Sequence, residues 1–274
     1  MKVSRIAGAL GAEISGIDLA VALSPRMIAD LREIWFENLV LFFHEQDLSP
    51  AQFLALAGQF GEPMEYPFLK GLDGYPLITP VVKLEHETVN FGGIWHSDTT
   101  YLPQPPSATM LIARTVPPQR GDTLFANQYL AYETLSPTLR KILDGLQAVS
   151  SSAKADTTKS REDRVRDSGR TDSNDEYVAA HPAVRTHPET GRKALYVNPA
   201  HTVRFDGMSE AESASLLDFL FTHQVRPEFT CRFGWRTGSI ALWDNRCTLH
   251  NPINDYPGHR RVMHRVTLKG DVPC

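Results

Sequence analysis

Short apolar or alternating runs of strand length recur along the chain, at Leu39–Phe43, Leu77–Leu84, Ala108–Ala113, Thr123–Ala126, Ala194–Val197, Phe229–Trp235, Ile240–Trp243 and Val262–Leu268. Runs of this kind, bounded by turn residues, read as β-strands. Most follow one another too closely for the crossover that parallel pairing needs, so antiparallel neighbours are expected. Many short strands bury their faces by stacking two sheets, which predicts a mainly β chain built as a sandwich or jelly roll.

Flanking helices complete the expectation. Ser24-Pro25, Ser49-Pro50 and Ser136-Pro137 each put a capping hydroxyl before a proline at the first helical position, where the missing N–H costs nothing. Ser209-Glu210-Ala211-Glu212 has the form of a capping box. Helical spacing follows in Leu139, Ile142, Leu143 and Leu146, and in Leu216, Leu217, Leu220 and Phe221.

A chain of 274 residues that is 42% hydrophobic can bury a large core, and one domain over 1–274 is expected. Only 150–175, rich in charge and small polar residues, has almost nothing to bury; it is a solvated loop or a mobile lid over the site. The net charge of −4 provides no general attraction for phosphate backbones, which argues against nucleic acid as a partner. Neither a signal-peptide stretch nor a long apolar run of membrane-spanning length occurs, so a cytoplasmic protein without a membrane partner is expected. The three cysteines, Cys231, Cys247 and Cys274, lack CxxC spacing, so a metal site must draw on His and carboxylates.

Such a site begins at His96-Ser97-Asp98. In a strand, residues two apart share a face, and one imidazole and one carboxylate can then bind one cation. A lone HxD has little weight until a third ligand joins it. His250, after Leu242-Trp243-Asp244-Asn245, is one candidate; His187 and His264 are others that spacing alone does not eliminate. His187, before Pro188 in a hairpin turn, is expected at the surface. Two His and one carboxylate leave coordination positions open, the arrangement that suits Fe(II), although zinc accepts the same ligands.

After His250 the chain reads Arg260-Arg261-Val262-Met263-His264-Arg265-Val266-Thr267-Leu268. In a strand, Arg261 and Arg265 share one face and Val262, Val266 and Leu268 the other. Pattern alone slightly favours the apolar face as core with both arginines in water. The functional alternative turns both guanidiniums inward, each gripping an anion through its planar fork.

These motifs in this order (GALGAEISGIDL, WHSDTTY, GDT, WDN, a distal His and RxxxR) resemble the taurine dioxygenase and dichlorophenoxyacetate dioxygenase (TauD/TfdA) family of Fe(II)/2-oxoglutarate oxygenases, over nearly the whole chain. The resemblance implies a double-stranded β-helix, a cupin-like jelly roll. It assigns His96, Asp98 and His250 to Fe(II), Thr123 and Arg261 to 2-oxoglutarate, and Arg265 to the acid group of a small anionic organic substrate, and so points the arginines inward. O2 is the other co-substrate, succinate and CO2 the by-products, and a homodimer or homotetramer the implied assembly.

The substrate pocket departs from the taurine pattern. Tyr66 and Leu69 stand where that enzyme has a His and a Tyr, and Gly92 replaces its Asn before HxD. His201 falls where phenoxypropionate-degrading relatives place a Tyr. Loss of matched donors disfavours taurine itself. The expected substrate is an alkylsulfonate, an alkyl sulfate ester or a similar anion contacted by Arg265, Tyr66 and His201. The alternatives are an aryloxyalkanoate dioxygenase, an oxygenase tailoring a carboxylate metabolite, and a non-catalytic jelly-roll binding protein.

Overall fold

The computed structural model describes residues 1–155 and 176–274. Of the candidate lid over 150–175, positions 156–175 lie outside the described residues. In chain order the strands are β1 (Lys2–Arg5), β2 (Ala12–Ser15), β3 (Val40–Phe43), β4 (Pro63–Met64), β5 (Thr79–Lys83), β6 (Ala108–Thr115), β7 (Thr123–Asn127) and β8 (Gln147–Ser151). They continue as β9 (Val178–Pro182), β10 (Val184–Thr186), β11 (Lys193–Leu195), β12 (Thr202–Phe205), β13 (Thr230–Phe233), β14 (Ile240–Asp244), β15 (Thr248–Pro252) and β16 (Arg261–Leu268).

The helices are α1 (Pro25–Asn38), α2 (Pro50–Gly58), α3 (Gln128–Glu133), α4 (Pro137–Leu143), α5 (Ser152–Ala155) and α6 (Glu210–His223). Four of them start as their sequences require. Ser24, Ser49, Ser136 and Ser209 each accept a backbone N–H from the first turn, and Ser49 and Ser209 close reciprocal boxes with Gln52 and Glu212. None of the helices among the described residues is long and apolar enough to cross a membrane.

The largest sheet runs β1-β2-β3-β14-β6-β16-β4, with β5 also on β16. A second, β13-β7-β15, lies against it, and the pair makes the jelly roll. Register decides which side chains meet. Leu242 and Val266 both pair with Met110, and all three enter the core under α1 and α2 with Trp35 and Phe53. Full burial of each such side chain contributes about 1.5–3 kcal/mol.

One residue along, Ala241 and Arg265 both pair with Leu111, and this row faces the second sheet. The arginines of β16 therefore share the inner face with Met263, and both are buried. The slight preference for solvent-exposed arginines is thus overturned. β16 is covered on its arginine side by the second sheet and, at Val266 and Leu268, by helices on the other, while Val262 and His264 on that second side are only half-buried.

A candidate metal centre between two buried arginines

HxD does not lie in a strand. The segment from Gly93 to Tyr101 is a series of turns, with Thr99 in the left-handed region, and its one ladder contact is an antiparallel bridge between His96 and His250. There the two residues exchange backbone hydrogen bonds, 3.0 Å from His96 N–H to His250 O and 2.8 Å in return. This pairing, rather than strand periodicity, brings His96 to the middle of β15.

The three side chains converge. Asp98 Oδ1 stands 3.6 Å from His96 Nε2 and 3.9 Å from His250 Nε2. One ligand atom from each residue lies within 4.8 Å of the others, a separation that a single cation at its centre can bridge. His96 Nδ1 lies 2.7 Å from the Ile94 carbonyl, which can only accept, so that nitrogen carries the proton and Nε2 the lone pair. Burial, then the neighbouring His96, hold the His250 pKa well below its usual value, the form a ligand must have. Burial acts to raise the Asp98 pKa, but His250, Arg265 and His96, with a hydrogen bond from Thr109, outweigh it and bring it to about 2. Neutral imidazoles and an ionised carboxylate form a donor set fit for a divalent metal.

The other His candidates stand elsewhere. His187 is not at the surface but buried, with Nε2 2.9 Å from Asp244 Oδ2, while Arg246 clasps the same carboxylate through Nε at 2.9 Å and NH2 at 2.7 Å. The hairpin folds inward because a buried Asp244 needs both partners. Although His187, Asp244 and Cys247 are close enough to hold an ion, the carboxylate is already committed to Arg246. His264 faces outward and accepts from Arg114 Nε at 3.2 Å.

His96, His250, Thr123, Arg261, Arg265 and Trp235 line a small cavity of about 50 Å³. Arg261 and Arg265 reach it from the large sheet, Thr123 and His250 from the small one. Nε and one terminal nitrogen of each guanidinium are buried and, among the described residues, have no hydrogen-bond partner. Trp235, which sequence reasoning missed, donates its indole N–H to Thr123 Oγ1 at 2.9 Å, so the Thr123 proton is directed elsewhere, toward an acceptor in the cavity. No local motif marks Trp235; only the β13–β7 pairing sets it beside Thr123.

Arg265 Cζ stands over Tyr66, 4.1 Å from the ring centroid, and Tyr66 belongs to an aromatic cluster with Phe68, Phe91 and Tyr101. His201 stands behind His96, with ring centroids 6.2 Å apart, and its Nδ1 is 3.0 Å from Thr100 Oγ1. Gly92 has φ of 70°, and a Cβ there would lie 2.9 Å from His96 Cε1. Close approach of backbone to the imidazole explains why this loop has no side chain at that position.

Comparison with known proteins agrees with this architecture. Residues 2–267 match the model of the "Taurine catabolism dioxygenase TauD, TfdA family". The chain is 34% identical to the alpha-ketoglutarate-dependent sulfate ester dioxygenase of Pseudomonas putida, over 100% of this chain and 91% of that protein. It is 32% identical to the alkylsulfatase of Acinetobacter baylyi, over 99% and 86%. Among solved structures it superposes on a taurine dioxygenase from Burkholderia xenovorans with a TM-score of 0.84 at 38% identity, covering 99% of this chain and 92% of that one.

Proposed function

The chain belongs to the TauD/TfdA family and is an Fe(II)- and 2-oxoglutarate-dependent dioxygenase, and on that premise we propose that it hydroxylates an alkyl sulfate ester or alkylsulfonate at the carbon next to the acid group. His96, Asp98 and His250 are the residues we assign to the metal, Thr123 and Arg261 to the far carboxylate of 2-oxoglutarate, and Arg265, Tyr66 and His201 to the substrate. Residues 1–274 are read as one catalytic unit, in keeping with a family match over 2–267.

The observation that carries the reading is the pair of buried guanidiniums with unsatisfied nitrogens beside a carboxylate-poor metal site. Two cations and a divalent metal against Asp98 leave an excess of three positive charges. A 2-oxoglutarate dianion and one monoanionic substrate neutralise that excess, and buried charge is tolerated only when so paired. Sulfate monoesters and sulfonates are monoanions with three equivalent acceptor oxygens, well matched to the Arg265 fork.

With Fe(II) bound, O2 chemistry converts 2-oxoglutarate to succinate and CO2 and places the other oxygen atom on a substrate carbon. The protein's contribution is position and charge. Thr123, its acceptor side occupied by Trp235, donates to the co-substrate, and Arg261 beside it supplies the counter-charge. The Tyr66 ring packs against the Arg265 guanidinium and limits its movement, which serves to hold the anionic head with the adjacent carbon toward the metal. Hydroxylation of a carbon bearing a sulfate ester makes a product that breaks to aldehyde and sulfate.

The test is succinate formation by iron-loaded protein given 2-oxoglutarate and O2 with alkyl sulfates, alkylsulfonates or aryloxyalkanoates. Stimulation by the first two classes with release of sulfate or sulfite is expected. Stimulation by aryloxyalkanoates alone would move the substrate class to phenoxy acids.

A further inference from the structure

We propose that Trp243, Asn245 and Thr109 form a one-way hydrogen-bond relay that commits Asp98 to bind the metal through a single oxygen, with the Thr109 hydroxyl as its positioning group. The inference rests on His96, Asp98 and His250 being the metal ligands.

Register begins the relay. Trp243 on β14 and Thr109 on β6 are direct cross-strand partners, so their side chains stand side by side on the inner face of the large sheet. Asn245 follows just past the end of β14. The Trp243 indole N–H donates to Asn245 Oδ1 at 2.9 Å, Asn245 Nδ2 donates to Thr109 Oγ1 at 2.8 Å, and Thr109 Oγ1 donates to Asp98 Oδ2 at 2.6 Å. Asn245 is itself tied to the HxD loop, its carbonyl accepting from Ser97 Oγ at 2.7 Å.

Chemistry sets every direction. An indole N–H can only donate, so the Asn245 oxygen must face it and the amide NH2 must face Thr109. That NH2 can only donate in turn, so the Thr109 oxygen accepts it and the hydroxyl proton is left for the carboxylate. Trp243, Asn245, Thr109 and Asp98 are all buried, Thr109 completely, so water does not substitute readily for a missing member.

The carboxylate oxygens thereby divide their work. Oδ2 receives a short charge-assisted bond from Thr109, while Oδ1 is the oxygen near both imidazoles and 3.7 Å from Arg265 NH1. Single-oxygen ligation matters because a two-oxygen Asp98 would occupy one of the positions that a chelating 2-oxoglutarate and O2 must share. Without the hydroxyl, Oδ2 is left buried and unbonded and the carboxylate is free to turn toward Arg265 or to offer both oxygens.

The experiment compares wild type with Thr109→Val, which keeps the shape and deletes the donor, and Thr109→Ser, which restores it. Co(II) affinity is measured by calorimetry on metal-free protein and the Co(II) visible spectrum is recorded, with circular dichroism and the metal-free melting midpoint as checks on folding. Expected for Thr109→Val is a loss of about 10–100-fold in affinity, the range seen for outer partners of metal ligands, together with a changed spectrum. Thr109→Ser should match wild type in both. Thr109→Ala, which adds no methyl group, carries the same test if valine disturbs the fold.

Wild-type affinity and spectrum in both donor-less variants would overturn the relay while leaving the metal site intact. A serine variant as weak as valine would also overturn it, since a retained hydroxyl donor would then fail to preserve the metal affinity. Failure of the wild type to bind Co(II) would overturn the metal assignment itself, and the relay with it.

Discussion

Arg261 is a buried cation in search of an anion, and its removal should act in opposite directions on the ligand-free and ligand-bound protein. The side chain is only 6% exposed, and its Nε and one terminal nitrogen have no partner among the described residues. Burial pulls its pKa below the ordinary value, with Tyr256 and Asp122 opposing, and Asp122 already pairs with Arg232 at 2.6 Å. An ion buried without its counter-charge costs several kcal/mol, part of which is recovered here by the Trp235 ring 5.8 Å away. Arg261→Met keeps the length and most of the packing. We therefore expect it to stabilise the ligand-free protein by about 1–3 kcal/mol, a rise of roughly 2–6 °C in melting midpoint for a chain of this size. With Mn(II) under argon, 2-oxoglutarate at about 100 times its dissociation constant should add about 2.7 kcal/mol, roughly 5 °C, to the wild type and nothing to the variant. Differential scanning calorimetry reads both shifts. A variant that melts below wild type and still gains from 2-oxoglutarate would refute the reasoning.

Arg265→Ala should raise the substrate KM by about 100-fold, the value of one bidentate charge-assisted grip, and leave the KM for 2-oxoglutarate within about threefold; the reverse pattern in succinate assays would exchange the roles of the two arginines. His264, its pKa held near 4 by burial and then by Arg114, is neutral in the native state and protonates more readily unfolded. Its contribution is therefore complete above about pH 6.5 and is lost as pH falls toward 4, so between pH 7 and 5 His264→Gln should lose less stability than wild type in urea titrations, by about 1 kcal/mol once solvent screening at this half-buried site is allowed for. Arg246→Met, which strips the buried Asp244 of its fork, should cost about 3–5 kcal/mol by the same titration at pH 7; a loss under 1 kcal/mol would show that His187 alone sustains the carboxylate.

Strands buried on a face and helices started by Ser-Pro were readable because each has a local cause: β3, β6, β14 and β16 have continuous or alternating apolar runs, and Ser24, Ser49, Ser136 and Ser209 cap as their neighbours dictate. The short strands β8, β9 and β12 were not, because QAVSS, VAAHP and TVRF have no pattern stronger than a loop; they exist through pairing with one another. Residue-by-residue resemblance named His96, Asp98, His250, Thr123, Arg261 and Arg265 for the proposed site, and all six stand together around or beside one cavity. It did not reach Trp235, Thr109 or Asn245's bond to Thr109, which arise from cross-strand neighbours more than a hundred positions apart.

What the sequence determined by itself was chemistry in one dimension: which residue types occur, their order, and the local signals that begin helices and alternate along strands. Tertiary structure decided direction. Arg261 and Arg265 face inward because the second sheet covers that side of β16, His187 is buried beside Asp244, and HxD reaches His250 from a turn because His96 pairs its backbone with His250. In each case a buried polar group had to find its partner across the fold, and local sequence carries no record of that partner.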